Sequence, residues 1–101
     1  MADITKEQIA AWKTEHGKIY KIEPTPGVIL IYKALSRGMY MDLMAKQMEG
    51  LIGDPEVETV KLCVINDVDD AIFQQQGGLA TVVYEDIMRV SGFAIVESEE
   101  L

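Results

Sequence analysis

Apolar residues recur along the chain at helical and strand spacings, which together predict an α+β fold: a two-stranded β-hairpin packed with four or five short helices. β-branched and aromatic residues in "KIYKIE" and "GVILIYKAL" flank the turn-forming residues 24–27, so the hairpin is predicted at about 18–35. Two strands alone are marginally stable, so helices must cover one face. The four longer helices are predicted at about 6–16, 36–49, 55–64 and 79–91.

Residues at the predicted helix ends support this division of the chain. Thr5 and Gln8 have the spacing of a capping box, and Asp54 stands where it can cap the third helix. Gly92 followed by Phe93 is typical of the left-handed end of a helix in a Schellman motif. Residues 57–65 leave an alternative open, because their β-branched side chains fit a strand as well as a helix.

The predicted core combines residues from the hairpin and the helices, with Trp12 as its anchor. If that indole is fully buried, we expect Trp12→Ala to cost about 3 to 5 kcal/mol of stability. The core positions that we predict are Ile9, Trp12, Ile22, Ile29, Leu43, Val60, Val83 and Ile87.

The second helix is rich in methionine, whose flexible side chain fills gaps in cores and also forms adaptable binding surfaces. One small core can bury only a single stripe of this helix. We predict that Met39, Tyr40, Leu43 and Met44 point inward. The candidate partner-binding residues left on the surface are then Met41, Met48 and Leu51.

The stretch "CVINDVDDAI" at 63–72 could bind a metal, accept a phosphoryl group or begin a helix. An EF-hand loop starting at Asp67 would need an oxygen ligand and a glycine where Ala71 and Ile72 stand. A phosphoryl-accepting aspartate belongs to a doubly wound sheet, and too little chain follows Asp70 to complete one. We therefore expect Asp67 to cap a short helix whose positive end Asp69 and Asp70 complement, with no metal bound.

Length and charge narrow the function further. The 101 residues fit one domain, 1–101, and a formal charge of −8 predicts that the protein does not bind nucleic acid directly. The longest apolar run, 28–32, is far shorter than the roughly 20 residues of a membrane span, and no signal sequence follows Met1. We therefore expect a soluble cytoplasmic protein that has no membrane contact.

Few residues are suited to catalysis. His16, the single histidine, falls at a predicted helix end without a nucleophile beside it, and Cys63 lies in an apolar context typical of the core. The glycine pair at 77–78 lacks the lysine of a phosphate-binding loop. These observations predict a protein without enzymatic activity or cofactor, which works by contact with another protein and can form homo-oligomers.

The order of "TKEQIAAWKTEHGKIYKI", a hairpin, a polar helix, "EVETVKLCVI" and a closing helix that ends in "SGF" resembles small bacteriophage tail assembly chaperones over about residues 4–93. The resemblance implies a protein that keeps the tape-measure protein soluble until the tail tube polymerises around it, without active site or cofactor. In that case its compartment is the bacterial host cytoplasm. An alternative is a small acidic inhibitor that blocks a basic site on a host protein.

Overall fold

The computed structural model describes residues 4–69, 71–93 and 96–101, and it confirms the predicted α+β fold. Within these ranges an antiparallel hairpin is surrounded by five helices. In chain order the elements are α1 (Lys6–His16), β1 (Ile19–Thr25), β2 (Val28–Lys33), α2 (Arg37–Met48), α3 (Pro55–Cys63), α4 (Ala71–Gln75) and α5 (Leu79–Val90).

The hairpin closes in a two-residue turn. Thr25 pairs with Val28 across Pro26 and Gly27, and Gly27 has a φ of 84°, a conformation that glycine adopts without steric cost. The register shifts between Ile22 and Thr25, so β1 contains an irregularity around Pro24. Proline has no N–H to offer to a strand ladder and is tolerated at such irregular positions.

The chain that follows α3 extends the sheet beyond β2. Val64 forms an isolated antiparallel bridge with Tyr32, and the N–H of Ile65 donates to the carbonyl of Ile31 at 2.7 Å. The segment 64–66 therefore lies along the free edge of β2 like a third strand. Residues 57–65 were predicted as either helix or strand, and the structure contains both. The helix ends at Cys63, and the strand-like pairing begins at Val64.

The two faces of the hairpin belong to different layers. Leu30 and Tyr32 point into the main core, whose other members come chiefly from α3 and α5. Because side chains alternate along a strand, Ile31 points to the opposite face, where only 3 % of its surface is exposed. Helix α1 contacts β1, and none of its residues belongs to the main core.

The predicted core is half right. The structure buries Leu43, Val60, Val83 and Ile87. The other four predicted core residues, Ile9, Trp12, Ile22 and Ile29, are only partly buried. The prediction of Trp12 as the anchor of the core is wrong, because α1, which is described over its whole length, contains no buried residue. The helix lies on the outer side of the hairpin and shares none of its side chains with the main core.

The predicted end signals of the first and last helices are confirmed. Thr5 and Gln8 bond reciprocally, each N–H donating to the other side chain at 3.0 and 3.2 Å. After α5, Gly92 has a φ of 91° and the N–H of Phe93 donates to the carbonyl of Met88 at 3.0 Å, as in a Schellman motif. This motif directs the Phe93 ring onto Tyr40 of α2, with 4.7 Å between the ring centroids.

Candidate functional site

An apolar stripe is exposed along α2 and its C-terminal end. Met41, Met48 and Leu51, the predicted partner-binding residues, are 50 %, 85 % and 68 % exposed. Their exposure agrees with the predicted orientation of the helix, whereas their role in binding stays a prediction. Leu51 follows Gly50, whose φ of 74° ends the helix, and its N–H donates back to Lys46 at 2.9 Å.

The inward stripe predicted for α2 needs one correction. Leu43 is buried and Met39 and Tyr40 pack against the core, but Met44 is 39 % exposed. Residues three and four apart share a face of a helix, so Met44 lies between Met41 and Met48 on the outer side. We call Met41, Met44, Met48 and Leu51 the methionine stripe.

Within the stretch 63–72, Asn66 joins the chain after α3 to β2. Asn66 accepts a hydrogen bond from the N–H of Ile31 at 2.8 Å through Oδ1 and donates one to the carbonyl of Ile29 at 2.9 Å through Nδ2. The predicted capping role of Asp67 is wrong, since Asp69 is the residue whose carboxylate accepts from the N–H of Ala71 at 3.0 Å. The chain is still pairing with β2 up to Asn66, so α4 begins later than predicted.

The predicted contribution of Asp70 lies outside the described residues. Among the residues that are described, no group of three or more His, Cys, Asp and Glu side chains could hold a metal ion. The absence of a metal site in the stretch 63–72 stays a prediction.

A groove of about 860 Å³ opens between α1, the hairpin turn and residues 65–69 and 72. One wall is a single face of α1, formed by Ile4 just before the helix and by Gln8 and Trp12 at four-residue intervals. Asp67 and Asp69 also line the groove and are exposed. The apolar lining consists of Ile4, Trp12, Val28, Ile65, Val68 and Ile72.

The groove was not predicted from the sequence, because Trp12 was assigned to the core and the acidic stretch 67–70 to the start of a helix. Trp12 has the size and spacing of a core residue, and the acidic stretch reads as a helix start. The course of segment 64–66 along β2 brings residues 65–69 and 72 to the same groove as α1. The spacing of Ile4, Gln8 and Trp12 at i, i+4 and i+8 is the one sequence signal that marks a common face.

A polar cluster joins β2 to α5 at the edge of the core, where Asp86 is partly buried and Arg89 is exposed. The hydroxyl of Tyr32 donates to the carboxylate of Asp86, which also pairs with Arg89 at 2.7 Å. The hydrogen bond from Tyr32 lowers the pKa of Asp86, and the bond to Arg89 acts in the same direction. Burial, followed by the bond to Asp86, raises the pKa of Tyr32. Both shifts keep the phenol neutral and the carboxylate charged at neutral pH, and in these states the hydrogen bond links β2 to α5.

Of the two residues whose chemistry suits catalysis, Cys63 is shielded by burial. Cys63 is fully buried, and burial raises the pKa of its thiol to about 11, which keeps the nucleophilic thiolate scarce at neutral pH. Nε2 of His16 lies 3.6 Å from the neighbouring Glu15 at the end of α1. Neither residue lines the groove.

Comparison with protein-family models, curated proteins and solved structures finds no match to this chain. None of the helices in the described part of the chain has both the length and the apolar character that crossing a membrane requires.

Proposed function

We propose that the chain is a non-enzymatic bacteriophage assembly protein of the tail assembly chaperone type, which holds the tape-measure protein or another tail component in a soluble state. The observation that carries this proposal is the methionine stripe, an apolar surface that the fold leaves uncovered on α2. Burial of such a surface against a partner is favourable and needs no cofactor.

The chemistry of the stripe suits a chaperone. Methionine side chains are flexible and polarizable, so one surface can adapt to several apolar sequences of a partner. The outer side of α2 also carries an exposed ion pair between Asp42 and Lys46, whose atoms are 3.0 Å apart. Charged side chains beside the stripe keep the free protein soluble while leaving the methionines accessible.

The proposal is tested by expressing the products of the neighbouring genes one at a time, with and without this chain, and measuring their soluble fraction. One product should become soluble only in the presence of the chain. The double variant Met41→Lys/Met48→Lys should melt like the parent and lose this activity, because it places two charges within the apolar contact.

A matched control separates the loss of apolar surface from the change in charge. Glu49→Lys alters the same end of α2 and, like the double methionine variant, changes the formal charge from −8 to −6. It should retain the activity. If both variants fail alike, and if the complex dissociates steeply as salt rises, the alternative of an acidic inhibitor of a basic host site is the better account. A much lower melting temperature for the double variant would place the methionines in the core.

A further inference from the structure

We propose that the groove beside α1 binds an amphipathic helical segment of the partner protein, with apolar residues on one side and basic residues on the other. This inference rests on the proposed function only in assuming a protein partner. It assigns to Trp12 and its neighbours a role that the methionine stripe does not cover.

The size of the groove fits a short helix. Its wall includes α1 from Gln8 to Trp12, about 6 Å at a rise of about 1.5 Å per residue, and continues to Ile4 just before the helix. A helix about 10 Å in diameter fills the volume of about 860 Å³ with roughly two turns. The apolar lining can therefore receive a stripe of residues at i, i+3 or i+4, and i+7.

The layer structure leaves room for this helix. The hairpin and the segment 64–66 form a surface of three strand-like elements. Helix α1 contacts β1, and the groove is lined both by α1 and by Ile65 and Asn66 of this segment. A second helix placed next to α1 would complete this outer layer in the way that helices cover a sheet in α+β folds.

The charge of the groove selects a basic occupant. Asp67 and Asp69 are its charged residues, and no lysine or arginine occurs among the described residues that line it. The carboxylate of Asp69 is partly engaged by the N–H of Ala71, which leaves Asp67 as the freer acceptor. A chain with a formal charge of −8 attracts a basic segment and repels an acidic one.

Trp12 is the single tryptophan of the chain and lines the groove, so its fluorescence can be used to detect binding there. We would titrate the protein with a peptide of about 14 residues that carries leucine on one helical face and lysine on the other. Trp12 emission should shift to shorter wavelength as the indole loses contact with water. The same peptide with glutamate in place of lysine should bind at least about tenfold more weakly at low salt, and a scrambled leucine–lysine peptide should also bind weakly.

Variants place the contact in the groove, with binding measured by the anisotropy of the labelled leucine–lysine peptide. Trp12→Ala should weaken binding about tenfold or more, because it removes the largest apolar surface of the groove. Asp67→Lys changes an exposed residue without disturbing the core and should weaken binding about threefold to tenfold. The matched control Glu85→Lys makes the same charge change on the exposed side of α5 and should bind like the parent.

The outcomes distinguish this inference from the proposed function. If Met41→Lys/Met48→Lys abolishes peptide binding while Trp12→Ala and Asp67→Lys leave it intact, the groove proposal is overturned and the methionine stripe remains the binding surface. Absence of binding by the amphipathic peptide also overturns it. The solubility of the neighbouring gene products still tests the proposed function independently.

Discussion

The hydroxyl of Tyr32 on β2 donates a hydrogen bond to the carboxylate of Asp86 on α5, across a separation of 54 residues in the chain. Tyr32 is only 1 % exposed, and its ring stacks on Tyr20 with 5.5 Å between the centroids. A buried hydroxyl needs such a partner, because an unpaired one is costly in an apolar surrounding. This bond therefore ties the hairpin to the last helix.

This pair predicts how stability depends on pH. The raised pKa of Tyr32 means that its contribution is present below the ordinary tyrosine pKa of about 10 and is lost as pH rises above it. The lowered pKa of Asp86 means that its contribution is present above the ordinary aspartate pKa of about 4 and is lost as pH falls through the lower folded value. Chemical denaturation at a series of pH values gives the free energy of unfolding and measures both effects.

Tyr32→Phe should cost about 1 to 2 kcal/mol of folding stability at neutral pH, and it should remove the part of the stability loss at alkaline pH that Tyr32 causes. Asp86→Asn should remove the part of the stability loss at acid pH that Asp86 causes. The control Tyr20→Phe removes a hydroxyl from the stacked neighbour and leaves the Asp86 bond in place. Equal pH profiles for Tyr32→Phe and the parent would contradict this account.

The groove predicts a modest stability effect for Trp12→Ala. The indole is partly buried at the wall of an open groove, so its loss should cost about 1 to 2 kcal/mol, less than the roughly 3 to 5 kcal/mol of a fully buried aromatic residue. Chemical denaturation followed by circular dichroism measures this without relying on tryptophan emission. A cost comparable to that of Ile87→Ala, a change in the fully buried core, would return Trp12 to the core.

The elements were largely predictable because their signals are local. The capping pair of Thr5 and Gln8 and the glycine after α5 fixed helix ends within one or two residues. The layer to which an element belongs was not predictable. The sequence around Trp12 is equally compatible with a position in the core and with one in the wall of a groove. That choice depends on α1 and segment 64–66 both meeting the hairpin, which is a long-range relationship.

The candidate binding surface shows the same division. Helical spacing alone separates Leu43 from Met41 and Met48, so the exposed side of α2 could be predicted. Met44 falls near the boundary between the two faces, and its exposure depends on the rotation of α2 about its own axis relative to α3. The groove forms where α1, the hairpin turn and the residues after Val64 come together. The sequence pattern therefore indicates only the part of the groove that α1 forms.

Burial predicts an unreactive thiol. Cys63 is fully buried with a pKa raised to about 11, so thiol reagents should label the native protein very slowly at neutral pH and rapidly in denaturant. The rate should rise as pH increases toward 11 in the native state. Fast labelling of native protein at neutral pH would show that α3 opens readily or that the thiol lies nearer the surface.

Asn66 predicts a stability effect at the edge of the sheet. Asn66→Ala leaves the N–H of Ile31 and the carbonyl of Ile29 without their side-chain partner, and it should cost about 1 to 3 kcal/mol. The neighbouring control Asp67→Ala changes an exposed residue and should stay within about 0.5 kcal/mol of the parent.

Hydrogen exchange tests the same contact at one atom. In Asn66→Ala the amide of Ile31 should exchange faster than the overall loss of stability explains, because its acceptor has gone. The amide of Val83, in the buried part of α5, reports the overall loss. If both amides accelerate by the same factor, Asn66 acts only through global stability, and the backbone pairing of Val64 and Ile65 with β2 is enough to hold this edge.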